Sequence, residues 1–298
     1  MSINAKMSGL ILRLLGQKTY RRNCALDIYS IVLWGAVVLY ALSALGLIGS
    51  SVFHAKHFVA LSFYVACIGL ALQTTAIGLR WVEVGHGPYI GFFDAVSSFA
   101  FVSVFTYVGL VLWRPSLKEV GAVIMPISFM FLGVAMMTSP SDMGITPALA
   151  SIWLIVHVFF AKIAVATMVV AFALAIIYVM RDKNKEISMF KQLPDQGVLD
   201  ITMFRFVAVS FIVWTIMIII GAIWANEAWG RYWGWDPIET WSLIAWLIYA
   251  ICLHLRLTRG WRGRRFAYVI IGSLPLVLFA LIGVPFFWSS IHAAYLSL

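Results

Sequence analysis

Five of the chain's thirteen tryptophans, Trp224, Trp229, Trp233, Trp235 and Trp241, fall between positions 224 and 241. Gly230, Gly234, the pair Asp236-Pro237 and Glu239 are interleaved with them. An aromatic belt accounts for any one of these indoles, because Trp and Tyr gather at both membrane interfaces. It does not account for their density, for glycines between the rings, or for Asp-Pro. As a unit, the run suits a large flat ligand: indole faces offer broad, rigid stacking area, and glycine lets backbone approach a plane closely. Asp236 precedes a proline placed to open a helix, so it either caps that helix or touches the ligand.

Histidines supply a second ingredient. His157 lies near the start of one apolar segment, and His292 follows the last one, just after Phe286-Phe287-Trp288. Both reach the level of the tryptophan run. Imidazole ligates haem iron readily, so this pair beside an indole platform fits two axial ligands. His254 lies thirteen residues beyond Trp241, roughly 20 Å deeper along a helix, and cannot share that iron. His86, in a Gly-His-Gly-Pro turn, suits a structural role and a ligand role equally. His54 and His57, in a short turn, read as ordinary interfacial residues. Lys162, inside an apolar segment, either snorkels or pairs with a carboxylate such as a propionate. Cys24, Cys67 and Cys252 show no CxxC spacing, which argues against thioredoxin chemistry, a zinc knuckle and covalent haem on the chain itself. Nothing resembles a catalytic triad, so no catalytic side chain is assigned beyond haem presentation.

These residues need a scaffold, and composition dictates its class. With 63% hydrophobic and 11% charged residues among 298, the chain is too apolar for a soluble surface. Apolar runs of about twenty residues recur throughout, and continuous rather than alternating runs select helices. The expectation is an all-α polytopic membrane protein, a bundle of about eight transmembrane helices with an external tryptophan-rich loop at 224–241. Helices are placed at 28–49, 57–79, 93–113, 119–138, 150–180, 203–225, 241–258 and 266–288. Residues 1–27 form a basic segment suited to the membrane surface, and 28–298 form one transmembrane haem-handling domain. No cleavable-signal pattern is visible, so the first helix is expected to stay.

The formal charge of +9 does not call for nucleic acid, because the basic residues sit in connections between apolar runs. Arg181, Lys183, Lys185 and Lys191 follow helix five, and Arg259, Arg262, Arg264 and Arg265 follow helix seven. Positive loops face the cytoplasm, which puts 226–240 and the C-terminus on the other side. Lys6, Arg13, Lys18, Arg21 and Arg22 run against this parity, since it places the N-terminus outside too.

The run WGWDPIETW, the flanking histidine-bearing helices, the RW…GHGP stretch and the histidine near the C-terminus together resemble the CcsA (ResC) family of cytochrome c haem-attachment proteins. The resemblance covers most of residues 57–298. It implies binding of haem b non-covalently, as a substrate in transit, and its attachment to CxxCH thiols of apocytochrome c. It also implies a CcsB (ResB)-type membrane partner and a location in the bacterial cytoplasmic membrane. By the same resemblance, His157 and His292 hold the external haem iron and His254 a deeper one, whose second ligand comes from the partner. Trp229, Trp233, Trp235, Asp236 and Trp241 belong to the external haem-binding segment. The C-terminal Ser290-Ile291-His292-Ala293-Ala294-Tyr295 and Ile238 depart from the usual family pattern. The rival functions are a haem exporter or chaperone without lyase activity, a secondary transporter, and a haem-bearing respiratory subunit.

Overall fold

The computed structural model describes residues 28–50, 53, 57–138, 145–183 and 193–292. The basic N-terminal segment with Cys24, as well as His54, Lys185, Lys191 and residues 293–298, lie outside the described residues. Among those described, eight helices are long and apolar enough to cross a membrane, as the apolar runs predict. They are α1 (Ile28–Ser50), α2 (His57–Val84), α3 (Phe92–Trp113), α4 (Gly121–Ala135, preceded by a 3-10 turn Pro115–Val120), α5 (Ile152–Lys183), α6 (Gln196–Trp229), α7 (Pro237–Leu257) and α8 (Gly263–Leu278). A π turn, Phe279–Gly283, and a short helix α9, Val284–Phe287, extend α8.

The helices are apolar on every side because their outer faces meet lipid instead of water. In α1, Ile31, Trp34, Val38, Leu42 and Leu45 are exposed, while Leu33, Ala36, Val37, Tyr40 and Leu47 are buried. α5 is the central helix: 78% of its most apolar stretch is buried, and it packs against α6, α3, α8 and α4. Its sequence explains that position. Ala164, Ala166, Ala171, Ala173 and Ala175 are fully buried, and small residues let neighbouring helix backbones approach closely in lipid.

Hydrogen bonds between helices add specificity to this packing. Tyr40 Oη donates to Gln73 Oε1 at 2.8 Å, and Gln73 Nε2 donates to the Ser97 carbonyl at 3.0 Å, linking α1, α2 and α3. Thr167 and Ser210 hydroxyls meet at 2.6 Å between α5 and α6. At the far end of the bundle, Arg256 grips Asp200 through both nitrogens, and the Asp200 carboxylate also accepts the Gly263 N–H at 2.7 Å. Asp200 is buried and Arg256 largely so, and losing one partner would leave a poorly compensated charge.

The sixth helix departs from the sequence expectation. It runs from Gln196 to Trp229, 34 residues, instead of spanning 203–225. At its start the Asp195 side chain accepts the Val198 N–H at 3.0 Å. At its end Gly230 takes a left-handed conformation (φ 72°) and donates its N–H to the Asn226 carbonyl, the usual way for a glycine to stop a helix. The expected loop at 224–241 is therefore mostly helix. Trp224 and Trp229 ride on the last turns of α6, Trp241 on the first turn and a half of α7, and only residues 230–236 are loop. Gly230 ends the helix.

Candidate functional site

α7 starts where Asp236-Pro237-Ile238-Glu239 predicts. Asp236 Oδ1 accepts the Ile238 N–H at 3.0 Å, and Glu239 completes a capping box. Pro237 loses nothing at the first helical position, where its missing N–H has no partner to satisfy. Glu239 does more than close the box, because its Oε2 accepts the N–H of Gly234 at 2.7 Å and of Asp236 at 3.2 Å. One buried carboxylate thus shapes the short loop around Trp233 and Trp235. Trp235 sits at φ 56°, a strained position for a non-glycine residue.

Asp236 takes the first of its two expected roles, the cap, and adds one that the sequence did not suggest. Besides capping α7, it holds the C-terminal arm. Ser290 Oγ donates to Oδ1 at 2.7 Å, the Ile291 N–H to Oδ2 at 2.9 Å, and His292 Nδ1 lies 3.0 Å from Oδ1. Burial pushes the Asp236 carboxyl's pKa up. The hydrogen bonds from His292 and Ser290, the charge of His292 and the Ile291 N–H outweigh this and hold it well below the usual carboxylate range. An ionised carboxylate only accepts, so His292 Nδ1 carries the proton and Nε2 faces away from Asp236.

His157, one and a half turns into α5, is tied back in the same manner. Its Nδ1 lies 2.8 Å from the Met217 carbonyl oxygen in α6. A carbonyl also only accepts, so Nδ1 is the protonated nitrogen and Nε2 the one with a lone pair. Among the described residues no hydrogen bond engages Nε2 of either histidine. This is the arrangement of metal-ligating histidines, in which an outer partner fixes tautomer and ring orientation.

Trp224 links the two imidazoles. Its ring stacks at 19° to His157 with centroids 6.4 Å apart and lies 5.8 Å from His292. Trp229 meets His292 edge-on at 4.7 Å. Trp224 is fixed by its own N–H, which donates to the Ala148 carbonyl at 2.9 Å, and Ser151 fastens the same segment to Glu227. Two cavities open from this cluster, of about 150 and 60 Å3. Phe92, Val96, Phe99 and Val158 make the larger one apolar, while Gly221, Trp233 and Glu239 line the smaller; both share His157, Trp224 and His292. No group of three or more His, Cys, Asp or Glu among the described residues could hold a bare metal ion. Two tethered imidazoles, indole edges and an apolar cavity are groups of the kind that could hold a metalloporphyrin.

The other candidates separate. Trp233 and Trp235 meet at 89°, an edge contact instead of a flat stack, and Trp235 is 69% exposed. Trp241 packs away from the histidines, against Phe279 and Trp288. His254 stands exposed towards the other end of α7. His86 is buried in its own turn, with Nδ1 2.9 Å from the Gly87 carbonyl and its ring beside Tyr89. Close by, Arg80 makes a bidentate pair with Asp94 at 2.7 and 2.8 Å around a separate cavity of about 10 Å3. Lys162 does not snorkel. It is buried, and its ammonium donates to the Pro88 carbonyl at 2.5 Å, pinning that turn to α5. Gly221, Ser290 and the loop-shaping role of Glu239 were not singled out by sequence, and Trp224 was marked there only as one member of the tryptophan run; the Asp-x-x-Glu capping spacing alone signalled one of these roles.

Comparisons with known proteins point the same way. Residues 112–292 match the family described as Cytochrome C assembly protein. The cytochrome c biogenesis protein CcsA of Guillardia theta is 32% identical over 78% of this chain and 83% of its own length. That of Chlamydomonas reinhardtii is 34% identical over 72% of this chain and 63% of its own. The solved structure of the cytochrome c heme lyase CcmF superposes with a TM-score of 0.66 at 17% identity, covering 92% of this chain. The chain spans about half the length of that lyase (49%), and the likeness is one of fold.

Proposed function

The chain belongs to the cytochrome c assembly protein family and serves cytochrome c biogenesis, and from that premise we propose that it binds haem and presents it for attachment to apocytochrome c. His157 and His292 would hold the haem iron through Nε2. The observation that carries this reading is that both rings have Nδ1 tied to an acceptor, Met217 O and Asp236 Oδ1, within one indole cluster. Trp224 and Trp229 flank the imidazoles, and Trp233 and Trp235 offer ring edges and faces at the open side.

Attachment joins two CxxCH thiols to the vinyl groups of haem b. The chain contributes position, since holding both reactants in reacting geometry is itself worth several kcal/mol of barrier. Tethered imidazoles would also tune the iron's redox state. His254 serves a deeper haem, whose second ligand comes from a CcsB-type partner; its exposure on α7 supports a ligand from outside this chain. The test is co-expression with a CcsB-type partner and a CxxCH acceptor. Covalent haem on the acceptor is the expected product. Haem bound by the complex with none transferred would make the chain a chaperone or exporter instead.

The charge pattern supports placing the tryptophan end on the non-cytoplasmic side of the bacterial inner membrane. Single cysteines at 231 and at 259, labelled from outside with an impermeant reagent, should react only at 231. Reaction only at 259 would reverse the orientation.

A further inference from the structure

Gly221 lies in the interior of α6, where an alanine would ordinarily stabilise a helix better than glycine does. A methyl group there has no room. A Cβ at position 221 would stand 2.6 Å from both Cε1 and Nδ1 of His157, well inside van der Waals contact. The ring cannot give way cheaply. Its Nδ1 is bonded to the Met217 carbonyl at 2.8 Å, and the Trp224 indole lies along its face. Met217 and Gly221 are four residues apart, so carbonyl and gap share one face of α6. Gly221, Ala222 and Ala225 make that face small where it lines the site beside His157 and His292.

We propose that Gly221 is a positioning residue for haem ligation: the missing side chain forms a notch in α6 that seats the His157 ring with Nδ1 on the Met217 carbonyl and leaves Nε2 as the ligating atom. This rests on the reading of His157 as an axial ligand and adds what holds it there. The notch selects the tautomer as well as the place, because a ring pushed off the Met217 carbonyl loses the acceptor that keeps its proton on Nδ1. Gly46, Gly69 and Gly121 are crowded too, but by Ser62, Tyr40 and Tyr107, and three helical glycines provide the contrast. Around Gly78, Gly109 and Gly133 nothing lies within 4 Å of an added Cβ.

The test uses the complex purified with its partner, read by haem retention and by the ferric low-spin EPR signal of paired imidazoles. Gly221→Ala should lose that signal and retain about tenfold less haem, as expected for loss of an outer-shell support. Added imidazole should restore the low-spin signal. Gly78→Ala should match wild type. In a His157→Gly background there is no ring to strike, so Gly221→Ala should add less than about a twofold effect, a non-additivity that reports direct contact. An equal cost in both backgrounds would mean that the glycine acts through helix packing, and would overturn the proposal. Gly221→Ala indistinguishable from wild type would overturn it too. If Gly221→Ala does not accumulate, the double variant decides: recovery supports a clash with the ring, and continued failure overturns the proposal. A His157→Gly variant with wild-type spectra would remove the ligation reading itself, and the role of Gly221 with it.

Discussion

His157→Ala and His292→Ala should each eliminate the paired-imidazole spectrum of the external haem, weaken haem binding by at least about tenfold, which is about 1.4 kcal/mol, and lower covalent haem on a co-expressed acceptor. The scaffold should tolerate both. Met217's carbonyl sits within α6, and Asp236 still caps α7 and accepts from Ser290 and Ile291 when the imidazole is gone. On the proposal that the two rings serve one iron, the double variant should be little worse than the more severe single variant. Exogenous imidazole should partly restore spectrum and maturation in either single variant. Unchanged spectra and maturation in both would take these histidines out of the site.

Asp236→Asn should weaken haem retention by about ten- to a hundredfold, the usual cost of losing an outer-shell partner of a metal-bound histidine. The substitution is selective. Asparagine caps a helix about as well as aspartate, so α7 should keep its start, while the charge-assisted bonds to His292, Ser290 and the Ile291 N–H are weakened or lost. The pH dependence has a definite sign. The folded-state pKa of Asp236 is depressed, so its contribution is complete above the ordinary carboxylate range and is lost only as pH falls through the depressed value. Between about pH 5 and 8 the wild-type arm should hold steady against this titration. A protease-protection or hydrogen-exchange comparison of residues 288–292 should show looser attachment in the variant across that whole range. Equal protection and equal haem retention would reduce Asp236 to a helix cap.

Much of this was legible in the sequence because lipid leaves few options. Apolar runs separated by charged turns fix eight helices, and Asp236-Pro237-Ile238-Glu239 fixes the start of α7. What the runs could not fix was where α6 stops. Ala225-Asn226-Glu227-Ala228-Trp229 is polar enough to read as loop, yet it is competent helix until Gly230. Clustering in sequence also overstated clustering in space. Trp241 is in the run, but a further turn and a half of helix carries it to Phe279 and Trp288. His157 and His292 were legible as chemistry, whereas their anchors, Met217 O, Gly221 and Ser290, are backbone atoms or small residues with no local signature. Lys162 misled for a related reason. Snorkelling is what a lysine does alone in lipid, and the carbonyl that receives it belongs to a turn 74 residues earlier.

The π turn at Phe279–Gly283 carries a consequence for the phase of the chain. A π turn accommodates one more residue than the α-helix it interrupts. At 3.6 residues per turn, one residue is worth about 100° of rotation and 1.5 Å of rise. Everything after Gly283 is therefore dialled round by more than a quarter turn from where a regular continuation of α8 would leave it, with Pro285 just beyond. That offset aims Ser290, Ile291 and His292 at Asp236. Deleting Ile282 alone would leave Asp236, Ser290, Ile291 and His292 in the sequence, yet should send the histidine out on a different bearing.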